Sequence, residues 1–195
     1  MTAQSTNVAL KEWAVTSAAL AQGDQIFILR KGGIREDGRH FKIEHDRFLL
    51  YPGLFHEGEI LLKADQRHRL ESTSGDDYSQ EIPLSVYCEL VETHDISEES
   101  DVTALHDLHI WSEEFPVKRF SWKPRHPLKL MVLRAYSLPS IHLAKVEDSY
   151  GGCKSWVDLK DNVDLSTMQP ALSDDQFANE LDKLHKALNL SPATV

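Results

Sequence analysis

At 195 residues, 41% hydrophobic and 27% charged, the chain has the size and balance of one globular domain that buries a core without disulfide or metal staples. Its formal net charge of −10 opposes indiscriminate coating of nucleic acid or anionic membrane, because the long-range field repels both. No basic region leads into an apolar run near the start, and no apolar stretch approaches bilayer-spanning length, so a cytoplasmic protein without membrane contact is expected.

Two cysteines, Cys88 and Cys153, are too few for a disulfide framework and lack the paired spacing of a zinc site. The charge is polarised along the chain. Thirteen acids and no Lys or Arg lie between Glu71 and Val117, whereas the run from Val117 to Arg134 carries Lys118, Arg119, Lys123, Arg125, Lys129 and Arg134 with no acid. Such a run is either a basic patch or one half of a neutralised surface.

In chain order, residues 1–7 are expected to be a disordered N-terminus. VALKEWAVTSAALA (Val8–Ala21) puts Leu10, Trp13, Ser17 and Leu20 on one helical face, so a helix is predicted, ended by Gly23. QIFILR (Gln25–Arg30) reads as a strand, FKIEHDRFLLY (Phe41–Tyr51) as a second extended segment, and Tyr51-Pro52-Gly53 as a hairpin-like turn. GEILLKAD fits either strand or helix. PLSVYCELVETHD (Pro83–Asp95) alternates Leu84, Val86, Cys88 and Leu90 on one side, the period of a half-buried strand.

Ser97 with Glu98, Glu99 and Asp101 predicts a capped helix of about three turns, with Val102, Leu105 and Leu108 inward. LKLMVLRAYSL (Leu128–Leu138) suits a central strand, Ser140 to Pro170 reads as long irregular chain, and Ser173–Leu190 is an amphipathic helix with an Asp-rich start. Elements mix without regular alternation or repeat. The expected fold is therefore α+β: one domain over 8–172, a mixed or antiparallel sheet with packed helices, a peripheral C-terminal helix over 173–190 and a tail over 191–195.

Several motifs invite chemistry. The Pro52-Gly53 pair, Glu59, Arg67 and Glu71 follow the spacing of a Nudix hydrolase, but His68 and Ser72 stand where glutamate ligands belong and Arg69 replaces a packing aliphatic. One ligand of three holds no metal. Lys31-Gly32-Gly33 offers backbone N–H groups and a lysine to a phosphate, without the spacing of a Walker loop. His106 and His109 lie three apart without the glutamate of a zincin motif, and His45 and His56 flank acids. No resident cofactor and no metal ligand is assigned. Cys153 follows the Tyr150-Gly151-Gly152 turn, with no base paired to it in sequence.

Taken together, LKEWAVTSAALAQGDQIFILRKGGIRE, HDRFLLYP, HIW followed by RFSWKP, PLKLMVLRAYSLP and YGGCKSWVDL resemble the bacterial, largely cyanobacterial, family catalogued as domain of unknown function 1802. The resemblance spans roughly residues 8 to 160. It implies a pattern resting on Glu12, Trp13, Lys31, Gly32, Gly33, Glu36, His45, Tyr51, Pro52, His109, Trp111, Arg119, Trp122, Lys123, Arg134, Tyr150, Gly151, Gly152 and Trp156, and brings no catalytic residue with it.

Three functions compete. The first is a nucleic-acid-associated module in which the basic 117–134 segment neutralises phosphates and Trp122 stacks a base, the ligand-contacting set being Lys31, Gly32, Gly33, Arg119, Trp122, Lys123, Arg134, Tyr150, Gly151 and Gly152. Its partner would be nucleic acid or a phosphorylated ligand. The second is a metal-dependent phosphoesterase or nuclease near the Lys31–Gly33 turn, with Lys31, Glu36, His45 and His56 as candidates. The third is an interaction scaffold whose acidic face meets a basic protein partner.

Overall fold

In the computed structural model the described residues are 5–31, 41–53, 59–73, 80–122, 124, 126–152 and 154–190, with side chains 71–73 excluded. Gly32, Gly33, Glu36, His56, Lys123, Arg125 and Cys153 lie outside them.

The first element is a strand. β1 (Ser5–Trp13) runs straight into α1 (Ala14–Gln22), so the helix predicted from Val8 begins only at Ala14. β1 has a neighbour on each edge and is buried on both faces, Ala9 and Leu10 being fully buried. Pairing on two sides overrides the local helical pattern, since a doubly covered strand needs no alternation. Gly23 closes α1 at φ 75° in the left-handed region, its N–H reaching the carbonyls of Ala19 and Leu20.

β2 (Phe27–Arg30) pairs antiparallel with β5 (Leu128–Lys145), which pairs with β4 (Glu81–Ile96) along nearly its whole length. β3 (Arg47–Gly53) lies antiparallel to β4 and parallel to β1, and β6 (Trp156–Asp164) closes the path on the far side of β1. The order is β2-β5-β4-β3-β1-β6, with β7 (Gln169–Pro170) added to β5. This is a mixed sheet with helices, an α+β domain.

Tyr51, Pro52 and Gly53 belong to β3, opposite Lys11, Glu12 and Trp13, and form no turn. Pro52 is tolerated because the β3–β4 pairing ends at Leu49, where the missing N–H breaks no ladder bond. A register shift between Leu84 and Val86 corrects the predicted alternation. Leu84 packs with Ile82 and Tyr87, whereas Val86, Cys88 and Leu90 turn to the opposite face. The stretch 140–170 is largely ordered, as the end of β5, β6 and β7.

Glu59–Leu61 and Ala64–Gln66 are 3-10 turns leading to α2 (His68–Thr73). α3 (Glu99–Ala104) spans six residues with Glu98, not Ser97, at its N-cap, and a 3-10 turn, His106–Leu108, follows. α4 (Glu114–Ser121) went unpredicted; its Pro116 occupies the first turn, where no intrahelical N–H is needed. α5 (Asp174–Ala187) starts with a reciprocal capping box between Ser173 and Gln176.

Val8, Leu10, Ile28, Phe48, Leu50, Cys88, Met131, Leu133 and Trp156, drawn from all six strands of the path, share one cluster on the inner face. The sheet therefore curls. Arg30 on one edge strand reaches Ser155, the residue before the other edge strand, at 3.0 Å. On the outer face, Leu128, Leu130 and Val132 of β5 pack under Val102 of α3 and under Phe177 and Leu184 of α5. No helix among the described residues is long and apolar enough to cross a membrane.

Candidate functional site

β2 alternates between the two faces, and this sends its last residues in opposite directions. Ile28 belongs to the inner cluster, and Arg30 continues on that side, over the Phe41 ring at 5.0 Å. Phe27 and Leu29 belong to the outer cluster, and Lys31 follows them. Its ammonium donates to the Phe120 carbonyl oxygen and sits 5.0 Å from the Phe120 ring centroid.

Lys31 is 4% exposed, and burial pulls its pKa below the usual lysine value because the charged form loses hydration. It lines a groove of about 550 Å³ formed where the end of β2, the end of β4 and the exit from α4 meet. Asp95 and Ser97 stand on one wall, Phe120 and Ser121 on another, and His126 between Pro124 and Pro127 on a third. The volume falls within the range of small-molecule sites, about 300–1,000 Å³.

Across α4 lies a second, much tighter cavity. Phe115 and Arg119 face it from α4, Glu12, Trp13 and Thr16 from the β1–α1 junction, Gln25 from the approach to β2, and His109 and Trp111 from the loop before α4. His109 Nδ1 accepts a hydrogen bond from the Trp111 N–H at 3.2 Å, which leaves the proton of the neutral ring on Nε2. Burial, then the nearby charges of Lys63 and His106, push the imidazole pKa down to about 3. Neither His109 Nε2 nor Thr16 Oγ1, both buried, has a hydrogen-bond partner within the described protein. At about 10 Å³ the space admits roughly one water-sized body, so it is no site for a nucleotide.

The remaining sequence candidates scatter. His45 packs edge-on against Trp156, centroids 5.2 Å apart, whereas Lys31 meets Phe120. Arg119 lies over the Phe115 ring at 5.7 Å and lines the tight cavity. Arg134 is held by the Leu172 carbonyl at 3.0 Å, by Asp174 at 2.6 Å and by the Phe177 ring. Lys118 pairs with Glu114 and Lys129 with Asp95. Much of the basic run is thus engaged by acids of the same chain. Trp122, 37% exposed, caps α4 through its N–H to the Lys118 carbonyl.

Tyr150 is buried and accepts the Lys160 N–H at 2.7 Å, while Lys11 donates to the carbonyls of Tyr150 and Gly152. Gly152 takes φ 78°, the left-handed conformation a glycine turn predicts. These contacts make the Tyr150–Gly152 turn a clasp on β1. Arg69, in the Nudix-like segment, is buried and bonded to Gln22, Asp24 and Gln66, so it ties α2 to the end of α1. Gln25, Ser97 and Ser121 were not legible as site residues, because no short-range signal links them to Lys31 or His109. One group of described side chains has metal-binding composition: Glu92, His94 and His185, on β4 and α5.

Among solved structures the chain is similar to ASCH proteins from Zymomonas mobilis. The crystal structure of ASCH matches at 10% identity and a TM-score of 0.41, covering 91% of this chain and 94% of that one. A serine-to-alanine mutant of ZmASCH matches at 10% identity and 0.42, with 91% and 94% covered. A tyrosine-to-phenylalanine mutant matches at 9% and 0.41, with 90% and 96% covered. No curated protein matches. The family model described as Domain of unknown function (DUF1802) matches residues 9–183, nearly the whole chain, and the protein belongs to that family.

Proposed function

We propose that the protein is a binding module for a nucleotide-sized phosphorylated ligand, free or at the end of a single strand, held in the groove beside Lys31. One observation carries this reading: Lys31, 4% exposed as a residue and partly desolvated at its charge, lines a groove of about 550 Å³. A partly desolvated cation is a good partner for phosphate oxygens, since its interaction is screened less than that of a fully exposed lysine. Ser97 and Ser121, which line the same groove, add hydroxyl donors beside the ammonium.

The groove has room for about one nucleotide, and Lys118, Lys129 and Arg134 face Glu114, Asp95 and Asp174 of the same chain. A net charge of −10 favours such a local contact over a long phosphate track. A hydrolytic role for Lys31 with His45 is disfavoured by their different partners, His45 packing on Trp156 and Lys31 on Phe120.

The test is isothermal titration with adenosine and guanosine monophosphates and with single-stranded oligonucleotides bearing or lacking a terminal phosphate, on wild type and Lys31→Met. Binding that needs the phosphate and weakens about tenfold or more in Lys31→Met is expected. Strand binding indifferent to the terminal phosphate and to Lys31→Met would overturn the groove reading, as would no binding of any probe.

A further inference from the structure

Glu92 and His94 lie two residues apart on β4, just past the register shift between Leu90 and Glu92, so both side chains leave the same face of the strand. That face also carries Ile96, which is buried in one cluster with Leu184 of α5. His185, the next residue on α5, completes a trio joined across 93 residues of chain from Glu92.

The three groups converge. His185 Nε2 lies 2.6 Å and His94 Nε2 3.0 Å from the same oxygen, Glu92 Oε1. The two rings stand nearly perpendicular, at 83° with centroids 6.4 Å apart, and the three donor atoms all fall within 4.8 Å of one another. A tetrahedral metal with metal–nitrogen bonds of about 2.0–2.1 Å holds its donors roughly 3.3 Å apart. Side-chain shifts of under about an ångström would therefore seat an ion. The side chains of His94, Glu92 and His185 are 25%, 22% and 12% exposed, which leaves a solvent approach and space for water as a further ligand.

We propose that Glu92, His94 and His185 form a binding site for a divalent transition metal of the zinc type, fastening α5 to β4 through two imidazole nitrogens and one carboxylate. Two nitrogens with one oxygen suit zinc, cobalt or nickel; calcium and magnesium prefer all-oxygen sites. Because the ligands come from two elements, an ion that binds only the docked arrangement stabilises the fold by mass action.

The test titrates the chelator-treated full chain with Zn²⁺ by calorimetry and with Co²⁺ by visible absorption, alongside Glu92→Gln, His94→Gln, His185→Asn and the exposed-histidine control His68→Gln. Uptake of one ion is expected, weakened about tenfold or more in each ligand variant and unchanged in the control. Zinc should raise Tm in wild type and His68→Gln only, with circular dichroism and metal-free melting showing that all the variants fold. Absence of stoichiometric uptake by wild type, or uptake unchanged by the three ligand substitutions, would overturn the assignment.

Discussion

Arg30 Nη1 and Glu12 Oε2 lie 3.1 Å apart with side chains only 13% and 6% exposed, which makes them a largely desolvated ion pair joining β2 to the end of β1. Arg30 also donates to the Lys11 carbonyl and to Ser155 Oγ, both at 3.0 Å, and Glu12 Oε1 accepts the Trp13 N–H at 2.9 Å. The pair thus holds together the two edges of the curled sheet and the start of α1. Arg30→Met strands the carboxylate away from water and should cost about 3–5 kcal/mol in urea unfolding. Adding Glu12→Gln to Arg30→Met should recover part of that loss, and simple additivity would show that the two side chains act separately.

His109 makes stability depend on acid. Its folded pKa is about 3, depressed by burial, while the unfolded chain takes up the proton near 6.5. The unfolded state binds more protons in between, so this contribution is intact above about pH 6.5 and shrinks as pH falls toward 3. Between pH 7 and 4.5 wild type should lose about 2–3 kcal/mol more than His109→Asn, which keeps an acceptor near the Trp111 N–H. Parallel loss in the two proteins would mean that the imidazole reaches solvent.

At Gly23 a Cβ would lie 2.4 Å from Leu172 Cδ2 and 2.7 Å from Cγ, and the residue holds φ 75°. Gly23→Ala should therefore destabilise by about 1–3 kcal/mol, from left-handed strain and overpacking together. Gly23→Ala with Leu172→Ala should relieve the overpacking while leaving the strain, a distinction readable in thermal melts against Leu172→Ala alone.

Cys88 is fully buried in the inner cluster, and burial pushes its thiol pKa up. Thiolate, the reactive form, is accordingly scarce. Peptide mapping after iodoacetamide treatment should find Cys88 unmodified in the native protein and labelled in urea; native labelling would reveal local opening of β4.

Anion affinity at the groove should decline as pH rises, because phosphate is held by protonated Lys31. The lowered pKa of Lys31 places that decline below the usual 10.5. Titrations from pH 7 to 10 in wild type and Lys31→Met test this, and a flat wild-type profile would remove Lys31 from the contact.

What the sequence disclosed follows from how local each signal is. β2, β4 and β5 carry apolar runs, and α5 carries both its cap and its stripe within one segment, so all four were readable. β1 was mistaken for helix because its two partners, β3 and β6, lie elsewhere in the chain, and only their contact reveals that Val8–Trp13 is extended. Lys31 is legible as the lysine of a Gly-Gly turn that could face a phosphate. The Phe120 carbonyl that receives it is 89 residues away, a distance no spacing rule crosses. His94 and His185 escaped notice for the same reason, each being ordinary beside its own neighbours.

The place of β1 between β3 and β6 also governs the order of assembly during synthesis. β1 leaves the ribosome well before Trp156–Asp164, and until that segment emerges one of its edges has no partner although Ala9 and Leu10 make both its faces apolar. An unpaired apolar edge is a template for the wrong strand, and contacts as distant as Asn7 to Leu159 slow the closing step. Nascent chains stalled before Trp156 are therefore the form most in need of a chaperone.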